Sequence, residues 1–183
     1  MKKSKDVIIK DETGFKLNRF KKPFLAVLKT WNVKRYALNL LKVENDLILA
    51  TDGVRMLSVS QEHIIETGLY GVSPTGYLYP DHENRPYPDI NNILKDFRAT
   101  KYAMQKLERG TSEQQFCFLV EEIFSHDLSF NFLLAKDVIL PILRVEKPNG
   151  YIIDIDETKT KFELSFYFDD FRVGYIQQNM KEM

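Results

Sequence analysis

The hydrophobic and polar positions of the first thirty residues change from the period of a strand to the period of a helix. Residues 15–17 alternate as a short strand does. Proline is tolerated only in the first turn of a helix, so Pro23 predicts that the next helix starts near Lys21 or Lys22. The apolar face of this helix consists of Phe20, Phe24, Val27 and Leu28, with lysines on the opposite side.

Three strand-like segments follow this helix, and a tight turn joins the last two. The segments cover 36–43, 47–50 and 54–59. Asp52-Gly53 lies between the second and third segments and is typical of a β-hairpin turn. Glycine adopts positive φ angles without the steric cost that other residues meet, which suits Gly53 to this turn.

The middle of the chain combines irregular structure with a second helical pattern. Four prolines and several tyrosines lie in 68–92, which is predicted to be irregular connecting structure. From Asp89 onward the apolar residues have helical spacing, so a helix is predicted to run to about Leu107 and to stop at Gly110. The apolar run 116–123 is predicted to be a strand.

The last third of the chain is predicted to contain a strand, a helix and three more strands. The first strand covers 129–132, and the helix covers about 134–144, where Pro141 is expected to kink or shorten it. A turn at Asn149-Gly150 follows. The remaining strands are predicted near 151–156, 161–168 and 171–178, the second with one buried face formed by Phe162, Leu164, Phe166 and Phe168.

An internal repeat is suggested when the sequence is shifted along itself by 115 positions, from 15 to 130. The shift superimposes two β-α-β-β-β plans. It aligns Phe15 with Phe130, Lys21 with Lys136, Leu25 with Leu140, Leu28 with Leu143, Lys29 with Arg144, Tyr36 with Tyr151 and Leu49 with Leu164.

The repeat predicts an α+β fold in which two helices pack side by side on a shared, curved antiparallel sheet. Residues 1–13 are predicted to be an N-terminal tail or edge strand, and 14–183 a single domain. Within that domain, the half-repeats are 14–67 and 113–180, separated by an insertion at 68–112.

Four segments of the chain resemble the bacterial DNA polymerase III beta sliding clamp. Residues 50–56, Ala-Thr-Asp-Gly-Val-Arg-Met, are similar to that family's Ala-Thr-Asp-Gly-His-Arg-Leu signature, with Val54 in place of histidine. The signature is preceded in both by Tyr-x-Leu-Asn, here 36–39. Residues 130–139 are similar to the Phe-Asn-Val and Leu-Leu-Asp-Val-Leu pattern of a clamp's second half-domain, and Tyr87-Pro88-Asp89 is similar to a Phe-Pro-Asp of these clamps.

The resemblance implies a DNA clamp-like fold and a non-enzymatic role as a DNA polymerase processivity factor in DNA replication, or as a phage or mobile-element relative of one. Because the chain has the length of one clamp domain, closing a ring around DNA would need several copies, so a homo-oligomer is expected. The alternative is a monomeric interaction protein that keeps the clamp-like fold and does not encircle DNA.

In a clamp, the helices line the inner surface, and their lysines contact the phosphates of double-stranded DNA without reading its sequence. The resemblance implies that role for basic residues of the two helices and of one strand edge. These residues are Lys21, Lys22, Lys29, Lys34, Arg35, Lys136 and Arg144. The alternative is an ordinary solvated helix face, and Asp137 lies among these residues.

The resemblance also implies a docking site for a short apolar motif of a polymerase or repair protein. The residues at the family's pocket positions are Thr51, Gly53, Val54, Arg55 and Met56. The alternative is a tight hairpin that carries a surface arginine.

Composition indicates an ordinary globular protein of a reducing compartment. The 26 Lys and Arg residues balance 26 Asp and Glu residues, so no global charge points to a nucleic acid or a membrane, although a local basic face is still compatible with this total. Cys117 is the single cysteine, so no intramolecular disulfide can form and a cytoplasmic location is expected. The basic N-terminus lacks the apolar core of a signal peptide, and no run of residues is long enough to span a bilayer.

The sequence favours neither an enzymatic role nor a bound cofactor. His63, His82 and His126 are scattered, and no phosphate loop or nucleophile elbow is present. Residues 81–83 with Asp89 could hold a metal, but a polar loop is the favoured interpretation and no metal site is predicted. Solvated carboxylates are expected at Asp154, Asp156, Asp169 and Asp170, and Cys117 is expected to be a buried, inert thiol. A small hydrolase, the third hypothesis, has no supporting constellation.

Overall fold

The computed structural model describes residues 6–28, 37–83, 85–90, 103–156 and 158–178. Ten strands and three helices lie within these ranges. In chain order they are β1 Ile8–Lys10, β2 Phe15–Leu17, α1 Lys21–Leu28, β3 Leu41–Glu44, β4 Leu47–Thr51, β5 Arg55–Ser60, β6 Gly68–Val72, β7 Leu78–Pro80, α2 Ser112–Ser125, α3 Phe132–Val145, β8 Gly150–Ile155, β9 Lys161–Tyr167 and β10 Arg172–Gln178. This arrangement confirms the α+β class.

Eight of the strands form one antiparallel sheet, in the order β7-β6-β3-β4-β5-β10-β9-β8. The β5–β10 pair joins the N-terminal strands of this sheet to the C-terminal ones, and in this pair Met56 lies opposite Ile176. β1 and β2 form a separate two-stranded sheet, which reaches the large one through a bridge between Lys16 and Tyr77. The sheet therefore joins an N-terminal and a C-terminal meander, β3–β5 and β8–β10.

A helix precedes each meander, and the two helices, α1 and α3, pack against each other. α1 also contacts β4 and β5, and α2 packs against α3. The three helices α1, α2 and α3 together form the helix layer. In the β4–β5 turn the Asp52 amide donates to the Arg55 carbonyl, and in the β9–β10 turn the Phe168 amide donates to the Phe171 carbonyl. These equivalent positions are 168 − 52 = 116 residues apart. The helix starts differ by 132 − 21 = 111, so a gapless shift of 115 does not align every element.

Apolar side chains fill both faces of the sheet. The main core lies between the sheet and the helices and includes Phe24, Phe162 and Tyr175. A smaller cluster combines Leu49, Met56, Ile90 and Ile176, with Leu47 and Tyr87 packed against it. Since Met56 and Ile176 alternate with helix-facing neighbours such as Leu57 and Tyr175, this cluster lies on the face away from the helices.

Residues 116–123, predicted to be a strand, lie instead within α2. Thr111 caps this helix: its hydroxyl accepts a hydrogen bond from the Gln114 amide, and the Gln114 side chain accepts one from the Thr111 amide. The buried residues of the segment have the spacing i, i+3, i+4, i+7, and they are Phe116, Leu119, Val120 and Ile123. Cys117 lies on the exposed side of α2, so the expectation of a buried thiol is wrong.

The predicted strand at 129–132 is also absent, because Asn131 begins a helix there. Its side chain accepts a hydrogen bond from the Leu134 amide at 3.1 Å, which makes Asn131 the N-cap of α3. The helix continues four residues past Pro141, to Val145. The three C-terminal strands lie close to their predicted positions, and Phe162, Leu164, Phe166 and Phe168 are buried as expected.

Two further segments differ from their predictions. The region 68–92, expected to be irregular, contains β6 and β7, which extend the sheet beyond β3. Residues 103–107 are not helical, since Gln105 exchanges two 2.9 Å backbone hydrogen bonds with Tyr151. The rest of that predicted helix, 91–102, lies outside the described residues. Regular strand structure in 37–43 is limited to Leu41 onward, and Tyr36 also lies outside the described residues.

Candidate functional site

The β4–β5 hairpin forms the tight turn that its sequence predicts. Gly53 has a φ of 88°, in the region that favours glycine. The Asp52 side chain accepts hydrogen bonds from the amides of Val54 at 3.0 Å and Arg55 at 2.7 Å. The Thr51 hydroxyl donates to the Arg55 carbonyl at 2.7 Å. These local bonds fix the direction in which the Arg55 side chain leaves the turn.

Arg55 connects this hairpin to both helices of the repeated plan. Its Nε donates to Asp52 Oδ2 at 2.8 Å, while Nη1 donates to the Leu134 carbonyl of α3 at 3.1 Å. Nη2 donates to the Ala26 carbonyl of α1 at 3.0 Å. The residue is only 6% exposed, so the interpretation of a surface arginine is wrong. Its planar, multi-donor guanidinium suits this task, because the donors diverge toward separate acceptors.

Only part of the predicted peptide-docking set is accessible to a partner. Thr51 and Met56 are buried along with Arg55, and Met56 packs in the cluster that also contains Tyr87 and Ile90. Gly53 is exposed and Val54 is half-buried. A partner could therefore contact the tip of this hairpin directly, but not the buried side chains on either side of it.

A groove of about 670 Å³ is lined by residues of α1 and α3 together with Asn39, Val72 and Pro74. Leu25, Ala26 and Leu28 of α1 and Pro141 of α3 provide apolar lining, and Lys22 and Asp137 place charge at the groove. Ala26 links the groove to the hairpin, since its carbonyl accepts the hydrogen bond from Arg55. The sequence prediction did not include this groove, because residues distant in sequence line it.

The predicted DNA-contacting residues differ in how much charge they present. Lys22 and Lys136 are exposed, and Lys21 is half-buried. Arg144 is exposed and forms an ion pair with Glu113 of α2, which also lowers the pKa of that glutamate. Lys29, Lys34 and Arg35 lie outside the described residues.

α2, which packs against α3, exposes acidic and aromatic side chains. Glu113, Glu121, Phe118 and Phe124 are all exposed on this helix. Carboxylates repel phosphates, so any duplex on this layer is expected to contact α1 and α3 rather than α2. Sequence reasoning missed this feature because it assigned the segment to a strand.

The sheet face away from the helices carries a buried polar cluster that was predicted to be solvated. Asp154 and Asp156 are both buried, which corrects that prediction. Burial, with Glu163 as the next cause, raises the pKa of Asp154 to about 6. Burial opposes ionisation of Asp156 too, but hydrogen bonds from Thr158 and Thr160 outweigh it and lower the pKa of that carboxyl.

No group of three or more histidine, cysteine, aspartate or glutamate side chains is arranged to hold a metal within the described ranges. In the loop considered as a metal site, Asp81 accepts a hydrogen bond from Arg85 at 2.9 Å. None of the helices in the described part of the chain is long and apolar enough to cross a membrane.

No protein-family model matches the chain, and no curated protein matches it significantly. The functional hypotheses therefore depend on the fold, on the surfaces described above and on the resemblance of residues 50–56 and 130–139.

Proposed function

We propose that this chain is a non-enzymatic, sliding-clamp-like DNA-binding protein: a polymerase processivity factor, or a phage or mobile-element relative of one. One observation carries the proposal: α1 and α3, each followed by a three-stranded meander, pack side by side on one continuous antiparallel sheet. The clamp-like plan requires two adjacent helices that lie over the junction between two similar halves of the sheet. The signature at 50–56 lies at the turn that connects both helices through Arg55.

The helix layer would contact duplex phosphates without reading sequence. Lys22 and Lys136 carry exposed charge on the two helices, and Lys21 lies next to Lys22. Because few cations are available and Asp137 lies beside them, each domain binds DNA weakly, and useful retention on DNA requires several copies around the duplex. A partner's short apolar motif would dock at the hairpin tip and in the adjacent groove.

Duplex binding at two salt concentrations tests the DNA proposal. Affinity for a short duplex is expected to fall steeply between about 50 and 200 mM salt, because phosphate contacts release counterions. Reversing both exposed lysines, Lys22→Glu with Lys136→Glu, should abolish binding. The matched control carries the same charge change at exposed lysines outside the helix layer, Lys106→Glu with Lys147→Glu, and should retain more affinity. Equal loss in both variants, or affinity that does not change with salt, contradicts a helix-layer interface.

A second candidate is a monomeric interaction protein with a clamp-like fold that does not encircle DNA. The favouring observation is that both outer strands of the large sheet adjoin other segments of the same chain. Lys16 bridges to Tyr77 near β7, and Gln105 pairs with Tyr151 in β8. Edges already paired in this way are less available for joining subunits.

Absolute mass by light scattering across a range of concentrations separates the two candidates. A closed oligomer that stays longer on circular than on linear DNA supports the clamp. A monomer at every concentration, without retention on circular DNA, supports the interaction protein.

A further inference from the structure

The sheet face away from the helices contains two carboxyl groups in direct cross-strand register. Asp154 of β8 lies opposite Glu163 of β9. Side chains opposite each other on antiparallel strands share one face and are close neighbours, so two charges here repel. Both residues are buried, with exposed fractions of 6% for Asp154 and 5% for Glu163.

The two carboxyl groups differ in their hydrogen-bond partners. Glu163 Oε1 accepts hydrogen bonds from the Arg172 guanidinium and from the Ser165 hydroxyl. Gly174 of β10 leaves room for this arrangement, since a Cβ atom there would lie 3.1 Å from Glu163 Oε1. Glu163 therefore has a cation and a hydroxyl that stabilise its charged form.

Asp154 has no comparable partner for its charge. Its Oδ1 is buried and makes no hydrogen bond. A buried carboxylate oxygen without a donor is costly, whereas the neutral acid avoids most of that cost. Burial is the largest cause that opposes ionisation of Asp154, and Glu163 and Asp156 add to it, while the Ile155 backbone amide and the charge of Arg172 favour ionisation and only partly offset these causes.

We propose that Asp154 is a proton-binding site of the folded protein, and that release of its proton loosens the β8–β9 hairpin. The charged and titratable groups that act on it are Glu163 on β9, Arg172 on β10 and Asp156 just beyond the end of β8. Arg172 forms an ion pair with Glu163, whereas Asp154 Oδ1 has no hydrogen-bond partner, so Asp154 is the carboxyl of the pair that holds the proton.

The direction of the pH effect follows from linkage. The pKa of Asp154 lies near 6 in the folded chain, above its ordinary value of 3.8, so the folded state binds more protons than the unfolded state between these values. The stabilising contribution of the neutral acid is complete below pH 4 and is lost as the pH rises through 6. This is opposite in sign to Asp156, whose lowered pKa makes it stabilising at higher pH.

A ¹³C titration of the side-chain carboxyls in the unaltered protein tests the site directly. The Asp154 resonance is expected to titrate with a midpoint well above 4, and Arg172→Gln is expected to raise that midpoint further. A midpoint at or below 4 in the unaltered protein overturns the proposal, since it would mean that folding does not increase the affinity of Asp154 for its proton.

Hydrogen exchange and one variant test the loosening. Protection of β8 and β9 amides, corrected for intrinsic exchange, should fall relative to β3 and β4 between pH 4.5 and 7.5. Asp154→Asn mimics the neutral acid, so it should lower the unfolding equilibrium constant at pH 7.5 by roughly tenfold or more relative to its effect at pH 4.5. Glu121→Gln, an exposed carboxyl on α2, is the matched control and should show no such pH-dependent gain. Parallel pH profiles for Asp154→Asn and the unaltered protein, or pH-independent protection, contradict the proposal.

Discussion

Arg55→Met is expected to destabilise the protein strongly, although it lies in the short segment that resembles a partner-binding signature. Methionine keeps much of the apolar stem but removes the guanidinium. The change leaves the Asp52 carboxylate, 10% exposed, without its cation, and it leaves the carbonyls of Ala26 and Leu134 without their Arg55 donors. The perturbation therefore affects the hairpin and both helices at once.

The expected loss is about 4 kcal/mol of unfolding free energy. Removing one partner of a buried ion pair costs about 3–5 kcal/mol, because the remaining charge is uncompensated. Two carbonyls that lose their donors would add about 1–3 kcal/mol each if no water replaced the donors. The total loss is smaller than the sum of these costs, because water can reach the site and because costs at neighbouring groups are not additive. For a chain of this size, about 4 kcal/mol corresponds to a melting temperature lower by about 8–16 °C.

Thermal and urea unfolding, followed by circular dichroism, measure this loss. Arg144→Met is the matched control, since Arg144 forms an ion pair with Glu113 in which both side chains are more than half exposed. Such exposed pairs contribute about 0–1 kcal/mol. The double variant Arg55→Met with Asp52→Asn should recover part of the loss, because it no longer leaves a buried charge unpaired.

A loss below about 1 kcal/mol, equal to that of Arg144→Met, would refute the reasoning. It would mean that the buried guanidinium contributes no more than a surface one, and the signature arginine would then have to be explained by partner binding alone. The same measurement bears on any partner-capture assay, because an Arg55 variant that loses binding could do so through unfolding.

Two further predictions concern local conformation. Gly53→Ala should lower stability by about 1–2 kcal/mol in urea unfolding, because the φ of 88° strains any other residue. A Cβ atom there would meet only Leu38, at an ordinary 3.8 Å, so the cost is conformational and not steric. An unchanged unfolding midpoint would contradict this conformational cost. Asn131→Ala should lower the free energy of unfolding by about 1 kcal/mol, because it removes the side-chain cap of α3. Asn131→Asp and Asn131→Ser keep a capping oxygen and should retain most of this stability. Equal losses in all three variants would argue against capping.

The elements predicted best are those whose period and end signals agree. The turn at Asp52-Gly53 formed as predicted because glycine supplies the required φ and the Asp52 side chain accepts hydrogen bonds from the amides of Val54 and Arg55. The strand at Lys161–Tyr167 was predicted from strict alternation over several residues, a pattern that a helix cannot bury on one face. In both cases the information lies within a few neighbouring residues.

The strand predicted at 116–123, which lies in α2, was wrong because the local pattern is ambiguous. A short run of mostly apolar residues fits a buried strand and a buried helix equally well. The capping box that marks the start of α2 begins at Thr111, outside the apolar run 116–123. β6 and β7 were missed because the prolines and glycines around them favour irregular structure, while pairing of β6 with β3 and of β7 with β6 makes them part of the sheet.

The sequence by itself determined the α+β class, the hairpin and the helix-then-meander order, because each depends on local periodicity or on one residue's backbone preference. Only the tertiary structure decided the environments of the polar side chains. Arg55 was expected at the surface and is buried against both helices, and Asp154 was expected in solvent and lies opposite Glu163. The free energy of such a group depends on burial and on partners distant in sequence, which a linear pattern does not contain.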